Sequence, residues 1–360
     1  MFLSKIVEED VDNIIKDNDL LNLDDSTFFI TGISGTIGGY FFKTVYQLNH
    51  KYGKNHKIYG LLRKENDKFD EFKKDKNIVI LYQDVTEPVK IDEKVDYIIH
   101  TAGPTSPKIM KEDPVGTNLA NILGTINTVK IAKENNAKAY LFISSREVYG
   151  EADENTKYFT EDGKVGYIDH TNVRNCYAES KRNAENLLIS YNKEYGLNVK
   201  AIRLAHTFGP GINIYDGKVQ SDFLKNYIHN EDIIMKSKGD SVRTYTYVSD
   251  AVSAMFKVIL KSPKEEVIYN ISDEANEITI KGLAETISEI GKENGKDIKV
   301  IMEIQDDKNV SFAPFSKGIV CSKKVRGLGY NNRYNVKEGF ERTIKHIEET
   351  NEYEKALNER

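Results

Sequence analysis

Two residues four apart carry the first chemical signal. Tyr177 and Lys181, in the run Tyr177-Ala-Glu-Ser-Lys181, fall on one face of a predicted helix. A lysine cation beside a phenol favours the charged form and lowers the phenol pKa. The phenolate can then take a proton from a sugar hydroxyl while the carbon loses a hydride to nicotinamide. Such a pair is also common on plain helix surfaces. Ser144 and Ser145 close an apolar run and supply a hydroxyl that could orient the same substrate oxygen or simply cap a strand end. Gly32, Gly35 and Gly38 lie between a β-rich run and a helical one. Glycines at such a turn let the backbone approach a pyrophosphate, which sits on the helix N-terminus. Their spacing departs from the GxGxxG fingerprint, and tight turns also collect glycine. The cofactor reading rests on position, with a strand before and a helix after.

Holding these groups together requires a regular scaffold. Ser26–Thr31, Lys57–Leu62, Ile78–Tyr82, Asp96–Thr101, Ala139–Ser144 and Asn198–Leu204 read as short buried strands. Tyr40–His50, residues 116–135 and Tyr177–Tyr195 read as helices between them. This alternation predicts an α/β fold with a doubly wound parallel sheet. After Phe208, Gly209 and Pro210 the alternation becomes irregular. Val248–Leu260 reads as a helix returning to the sheet, Ile280–Asn294 as another helix, and residues 335–350 as a closing one. We expect an N-terminal helical extension over residues 1–25. A dinucleotide-binding domain should comprise 26–204 with about 246–262 and 333–350. A smaller C-terminal substrate-binding α/β domain should comprise 205–245 and 264–332.

Composition narrows the function classes. Of 360 residues, 39% are hydrophobic and 30% charged, as in an ordinary soluble globular protein. No apolar run approaches the ~18 residues of a membrane helix. The acidic, amphipathic start lacks a basic segment and an apolar stretch, so no secretion signal is expected. A net charge of −5 gives no nucleic-acid footprint. The two cysteines, Cys176 and Cys321, fit a reducing cytoplasm. Seven scattered histidines make a metal site unexpected. Membranes and nucleic acids are therefore not expected partners.

Two positions bear on the cofactor. Leu61-Leu62-Arg63-Lys64 has no acid at the strand tip, where an acid would bond a ribose hydroxyl and an arginine would suit a 2′-phosphate. Arg63 thus leans towards NADP or tolerance of both cofactors, or is a solvated helix-entry charge. Asp84 and Val85 could contact the adenine, or Asp84 could form an Asx turn.

Further motifs occur in order: His100-Thr-Ala-Gly103, Ser144-Ser-x-Glu-Val-Tyr-Gly150 and Arg203-Leu-x-x-Thr-Phe-Gly-Pro210. With the glycine turn and the Tyr177/Lys181 pair, they resemble the extended short-chain dehydrogenases/reductases over about residues 27–345. The similarity is to the nucleotide-sugar epimerase, dehydratase and decarboxylase group. Runs around Cys176–Glu185, Thr207–Phe223 and Arg243–Asp250 are most similar to UDP-glucuronate decarboxylase. The resemblance implies a Rossmann-type domain holding NAD, with NADP possible, and a nucleoside-diphosphate sugar in the C-terminal cleft. It implies cofactor contacts from Gly32, Gly35, Thr36, Ile37, Gly38, Arg63, Asp84, Val85, Thr101, Ala102, Gly103, Asn121 and Ser144, with Tyr177 and Lys181. The implied catalytic set is Ser145, Glu147, Tyr177 and Lys181. Substrate contacts are expected from Pro104, Ser106, Arg146, His206, Lys218 and Arg243. A homodimer built on two helices per subunit is also implied.

The chain departs from these relatives in three places. Arg146 stands where the dehydratases carry a general-acid aspartate, and arginine keeps its proton near neutral pH. It could clamp a substrate carboxylate, or pair with Glu147 or Glu151. His206 replaces a usual asparagine, and Gly211 stands where the decarboxylases carry an arginine. Lys218 and Arg243 could meet a diphosphate or be surface charges. The leading expectation is transient C4 oxidation followed by decarboxylation. Alternatives are 4-epimerisation, 4,6-dehydration, or a nonenzymatic NAD(P)-binding sensor.

Overall fold

A computed structural model describes residues 4–152, 156–163, 165–304 and 319–350. Its helices are α1 (Lys5–Asp17), α2 (Thr36–Tyr52), α3 (Pro107–Glu112), α4 (Pro114–Asn135), α5 (Cys176–Tyr195), α6 (Val219–His229), α7 (Val248–Lys261), α8 (Ile280–Glu293), α9 (Lys323–Arg326) and α10 (Val336–Thr350). Its strands are β1 (Thr27–Thr31), β2 (Lys57–Leu62), β3 (Ile78–Tyr82), β4 (Tyr97–His100), β5 (Ala139–Ser145), β6 (Val199–Leu204), β7 (His206–Phe208), β8 (Ile233–Met235), β9 (Val242–Tyr247), β10 (Ile268–Ile271), β11 (Glu277–Thr279) and β12 (Val300–Met302).

Seven strands form one parallel sheet in the order β10-β6-β5-β4-β1-β2-β3. Alternate side chains along a strand point to opposite faces. Phe28 and Ile30 of β1 accordingly pack with Phe41, Val45 and Leu48 of α2. Phe29 faces the other way, with Val129 of α4 and Ala184 and Leu188 of α5. Helices on both faces explain why the strands are apolar throughout. The order reverses at β1, between β4 and β2. Ligands of open α/β sheets bind beyond the strand ends at such a switch point.

The smaller strands sit at that end of the molecule. β9 pairs with β7 in parallel and with β11 antiparallel, while β8 pairs with β12. The expected substrate-binding segment 264–332 is not a single unit. Its strand β10 joins the large sheet beside β6, with Ile268 opposite Ala201. Residues 305–318 of that segment lie outside the described residues. The cofactor helix begins at Thr36, earlier than the expected Tyr40. Gly38 and Gly39 belong to its first turns, where the absence of side chains lets the helix start lie close to Gly32 O and Ile33 O of the turn after β1.

α1 is docked rather than trailing. Val7, Val11, Ile14 and Ile15 form a buried stripe at helical spacing. Ser4 caps the helix by accepting from the Val7 amide at 3.2 Å. Its hydroxyl also bonds Nδ1 of His346 in α10 at 2.8 Å. Among the described residues, no helix is long and apolar enough to cross a membrane.

Candidate active site

β1 runs directly into the glycine turn. Gly32 adopts a left-handed φ of 70°, and its amide donates to Leu61 O at 3.0 Å. A Cβ on Gly32 would lie 2.9 Å from Thr101 Oγ1. One on Gly38 would lie 2.4 Å from Gly32 O and 2.6 Å from Thr101 Oγ1. Glycine is therefore required at both places by backbone proximity. Gly35 caps α2 without a side-chain bond, so the first amides of the helix are left to an external acceptor. This cradle fits the pyrophosphate of a dinucleotide. Thr31 Oγ1 accepts from the amides of Thr101 and Ala102, both at 3.1 Å, fixing the neighbouring wall. A Cβ on Gly103 would lie 2.9 Å from Asn121 Oδ1. Asn121 is buried and donates to Ser180 Oγ at 2.9 Å, while its Oδ1 has no partner among the described residues.

The remaining expected cofactor residues divide. Ile37 packs against the core, and Thr36 Oγ1 donates to Gly211 O at 2.9 Å. Arg63 is exposed just past the tip of β2. Asp84 takes the Asx-turn alternative: its Oδ1 accepts from the Thr86 amide at 2.9 Å and hydroxyl at 2.8 Å. Val85 is buried against Gly124 of α4. The Ser144 hydroxyl is committed to Glu185 of α5, which also forms a buried ion pair with Arg203 at 2.8 Å.

β5 and α5 deliver the reacting groups. Ser145 ends β5, and its Oγ caps the following tight turn by accepting from the Glu147 amide at 3.1 Å. Tyr177 is the second residue of α5 and is buried. Burial pushes its phenol well above the usual range, and the Glu147 carboxylate adds to this. A hydrogen bond with Ser145 and the Arg174 cation pull the other way. Lys181, one turn on, donates from Nζ to Ile143 O at 2.6 Å and lies 5.6 Å from the Tyr177 ring centre. Burial draws its ammonium down to about 7, with Glu185 opposing. The sequence points to Lys181 as the group favouring the phenolate. In the folded chain a hydrogen bond with Ser145 and the Arg174 cation favour it as well, and Lys181 Nζ is bonded to the β5 backbone one turn away.

Beside this group lies a cationic wall. Arg146 is buried, and burial first, then Arg243, draws it down to about 10; it remains charged at neutral pH. His206 is driven well below its ordinary value by burial, and next by Arg146, Arg243 and Lys218. It is therefore neutral, with its ring 5.4 Å from that of Tyr245. Lys218 pairs with Asp216 at 2.9 Å and reaches Thr105 Oγ1 at 3.3 Å. Ser106, two residues past Pro104, donates to Asp216 O at 2.8 Å and ties the two loops together. Glu147 pairs with Arg174 at 3.4 Å. Arg174 and Tyr245 were not foreseen. Arg174 sits three residues before Tyr177, and that nearness was its only sequence signal.

A dinucleotide cradle at a sheet switch point, opening onto a buried Ser–Tyr–Lys group, defines a nicotinamide-dependent enzyme of the short-chain dehydrogenase/reductase type. Comparison with known proteins makes this specific. The chain belongs to the NAD dependent epimerase/dehydratase family, whose model matches residues 28–272. UDP-glucuronic acid decarboxylase 6 of Arabidopsis thaliana is 32% identical over 261 residues, covering 72% of this chain and 71% of that protein. UDP-glucuronic acid decarboxylase 1 of Xenopus tropicalis is 29% identical, covering 77% and 62%. The fold matches UDP-N-acetylglucosamine 4-epimerase of Methanobrevibacter ruminantium with a TM-score of 0.74 at 20% identity, over 91% and 99% of the two chains. It matches the dTDP-glucose 4,6-dehydratase DesIV of Streptomyces venezuelae, solved with NAD bound, at 0.73 and 19% identity over 91% and 98%.

Proposed function

We propose that this protein converts a nucleoside-diphosphate sugar by transient oxidation at C4, and that its substrate is a uronate that leaves decarboxylated, as in the reaction of a UDP-glucuronate decarboxylase. The observation that carries the reading is the buried Arg146 cation next to the Ser145–Tyr177 hydrogen bond. NAD, when bound on the glycine turn, supplies the acceptor of the C4 hydride and returns it. Ser145 orients the C4 oxygen, and Tyr177, acting as the phenolate after giving its own proton to solvent, takes the hydroxyl proton. A ketone at C4 makes a C6 carboxylate a β-keto acid, which loses carbon dioxide. Arg146 holds that carboxylate by charge-assisted hydrogen bonds until it leaves. When the C5–C6 bond breaks the electron pair stays on C5 as the enolate, and Glu147, beside Arg174, relays a proton from solvent to C5. Lys218 and Arg243 suit the diphosphate.

The substrate lobe comprises residues 205–245, 264–267, 272–304 and 319–332. The working protein is a homodimer. α4 presents Val115, Leu119 and Leu123 at 66%, 43% and 37% exposure along one face, beside Ile189 of α5 at 42%. Such a stripe fits a four-helix contact between two copies. The two free thiols suit a cytoplasmic setting. Mass spectrometry of the product from NAD and UDP-glucuronate tests the reaction. A UDP-pentose with carbon dioxide lost supports it. A 4-epimer that keeps its carboxylate would replace decarboxylation with epimerisation.

A further inference from the structure

α1 precedes the residues matched by the family model, and the proposed reaction assigns it no task. It carries a wholly buried carboxylate, Asp10. Asp10 Oδ2 accepts from the Tyr40 hydroxyl of α2 and from the Tyr247 hydroxyl of β9, both at 2.8 Å. Asp10 Oδ1 accepts from Arg342 Nη2 of α10 at 2.7 Å. Burying a carboxylate is costly unless it is paired and hydrogen-bonded, and here both oxygens accept bonds and Arg342 supplies the opposite charge.

The two tyrosines lead to the cofactor cleft from opposite sides. Tyr40 lies one turn past Thr36, the first residue of α2. Tyr247 lies opposite Phe208 in the β7–β9 register. Phe208 runs straight into Gly209, where a Cβ would stand 3.3 Å from the Tyr247 ring. Two residues on, Gly211 O accepts from Thr36 Oγ1 at 2.9 Å. The contacts thus close a ring from Asp10 through Tyr40, Thr36, Gly211, Gly209 and Tyr247 back to Asp10. The start of α2 is joined to the loop after β7 at two points, and one of them is built by α1.

We propose that Asp10 is a positioning residue for NAD: through it the N-terminal helix fixes α2, and with it the glycine turn, against the β7–β9 face. The effect concerns cofactor binding and is independent of the sugar turned over. It is tested by calorimetric titration of NAD into the full chain. Tyr40→Phe, Tyr247→Phe and Asp10→Asn should each weaken NAD binding about five- to tenfold, less than the roughly tenfold or more of a charge-assisted hydrogen bond made to the ligand itself, because the bridge reaches the cofactor only through α2. The Tyr40→Phe/Tyr247→Phe double variant should be no weaker than the worse single one, since either change opens the bridge. Tyr52→Phe serves as control. It removes a 2.8 Å bond of the same kind between α2 and Asp12 of α1, outside the ring, and should leave NAD affinity unchanged. Three results would overturn the proposal: wild-type NAD affinity in both folded tyrosine variants, an equal loss in Tyr52→Phe, or losses that multiply in the double variant. If Asp10→Asn fails to fold, the two tyrosine variants still decide.

Discussion

At the scale of single residues, the reaction turns on which group moves the proton. The Tyr177 phenol is pushed upward by burial and by Glu147, and only Ser145 and Arg174 oppose this. Tyr177→Phe keeps the ring and its packing and removes the base. Turnover should fall by roughly 10²–10⁴ with NAD binding retained; wild-type turnover in that variant would remove Tyr177 from the mechanism. Arg146 is the residue on which the choice of substrate depends. A hydrogen bond to a charged group contributes ~1.5–3 kcal/mol. Arg146→Ala should therefore lower kcat/KM for UDP-glucuronate by about tenfold or more. An unchanged value would separate Arg146 from carboxylate recognition while leaving C4 oxidation in place.

Elements explain what the sequence could and could not disclose. The glycine turn and the Tyr177/Lys181 pair were legible because each is local, one within a seven-residue junction of β1 and α2 and the other within α5, so spacing alone places them. The pairs Glu147–Arg174, His206–Tyr245 and Asp10–Tyr40 join distant segments, and no local period reports them. The three-residue strands β7, β8, β11 and β12 are too short to show a twofold alternation. β10 was misplaced because the chain leaves the large sheet after β6 and returns to it only after the β7–β9 excursion. Helix α7 makes an element-level prediction. Its Asp250 is buried, and Oδ2 accepts from the amides of Arg333 and Tyr334, both at 3.1 Å. Burial raises its carboxyl to about 7, against those two hydrogen bonds. Between about pH 4 and 7 the folded state therefore binds more protons than the unfolded one, and this group's contribution to stability is lost as pH rises. Asp250→Asn keeps an acceptor and removes the charge. Its melting temperature should match wild type near pH 4 and exceed it near pH 8, by up to about 4 kcal/mol of stability. A gap that does not widen with pH would show that Asp250 is ionised throughout.

The whole molecule brings a cofactor cradle, a buried acid–base group and a cationic wall to one end of a parallel sheet, and leaves an apolar helical face elsewhere. Leu119→Glu places a charge in the middle of that face and should give a monomer in sedimentation, with the fold kept. A dimer of wild-type strength would move the contact to another surface. The central claim is transient oxidation at C4 by a cofactor that is restored in each cycle. The most direct measurement is rapid mixing of the NAD-loaded protein with UDP-glucuronate carrying deuterium at C4. Absorbance of the reduced nicotinamide and release of carbon dioxide are followed together. Transient oxidation gives a rise in reduced cofactor, slowed by the deuterium, that decays as the product forms and leaves no net reduction. Carbon dioxide released without that transient, or at a rate indifferent to the isotope, would contradict it.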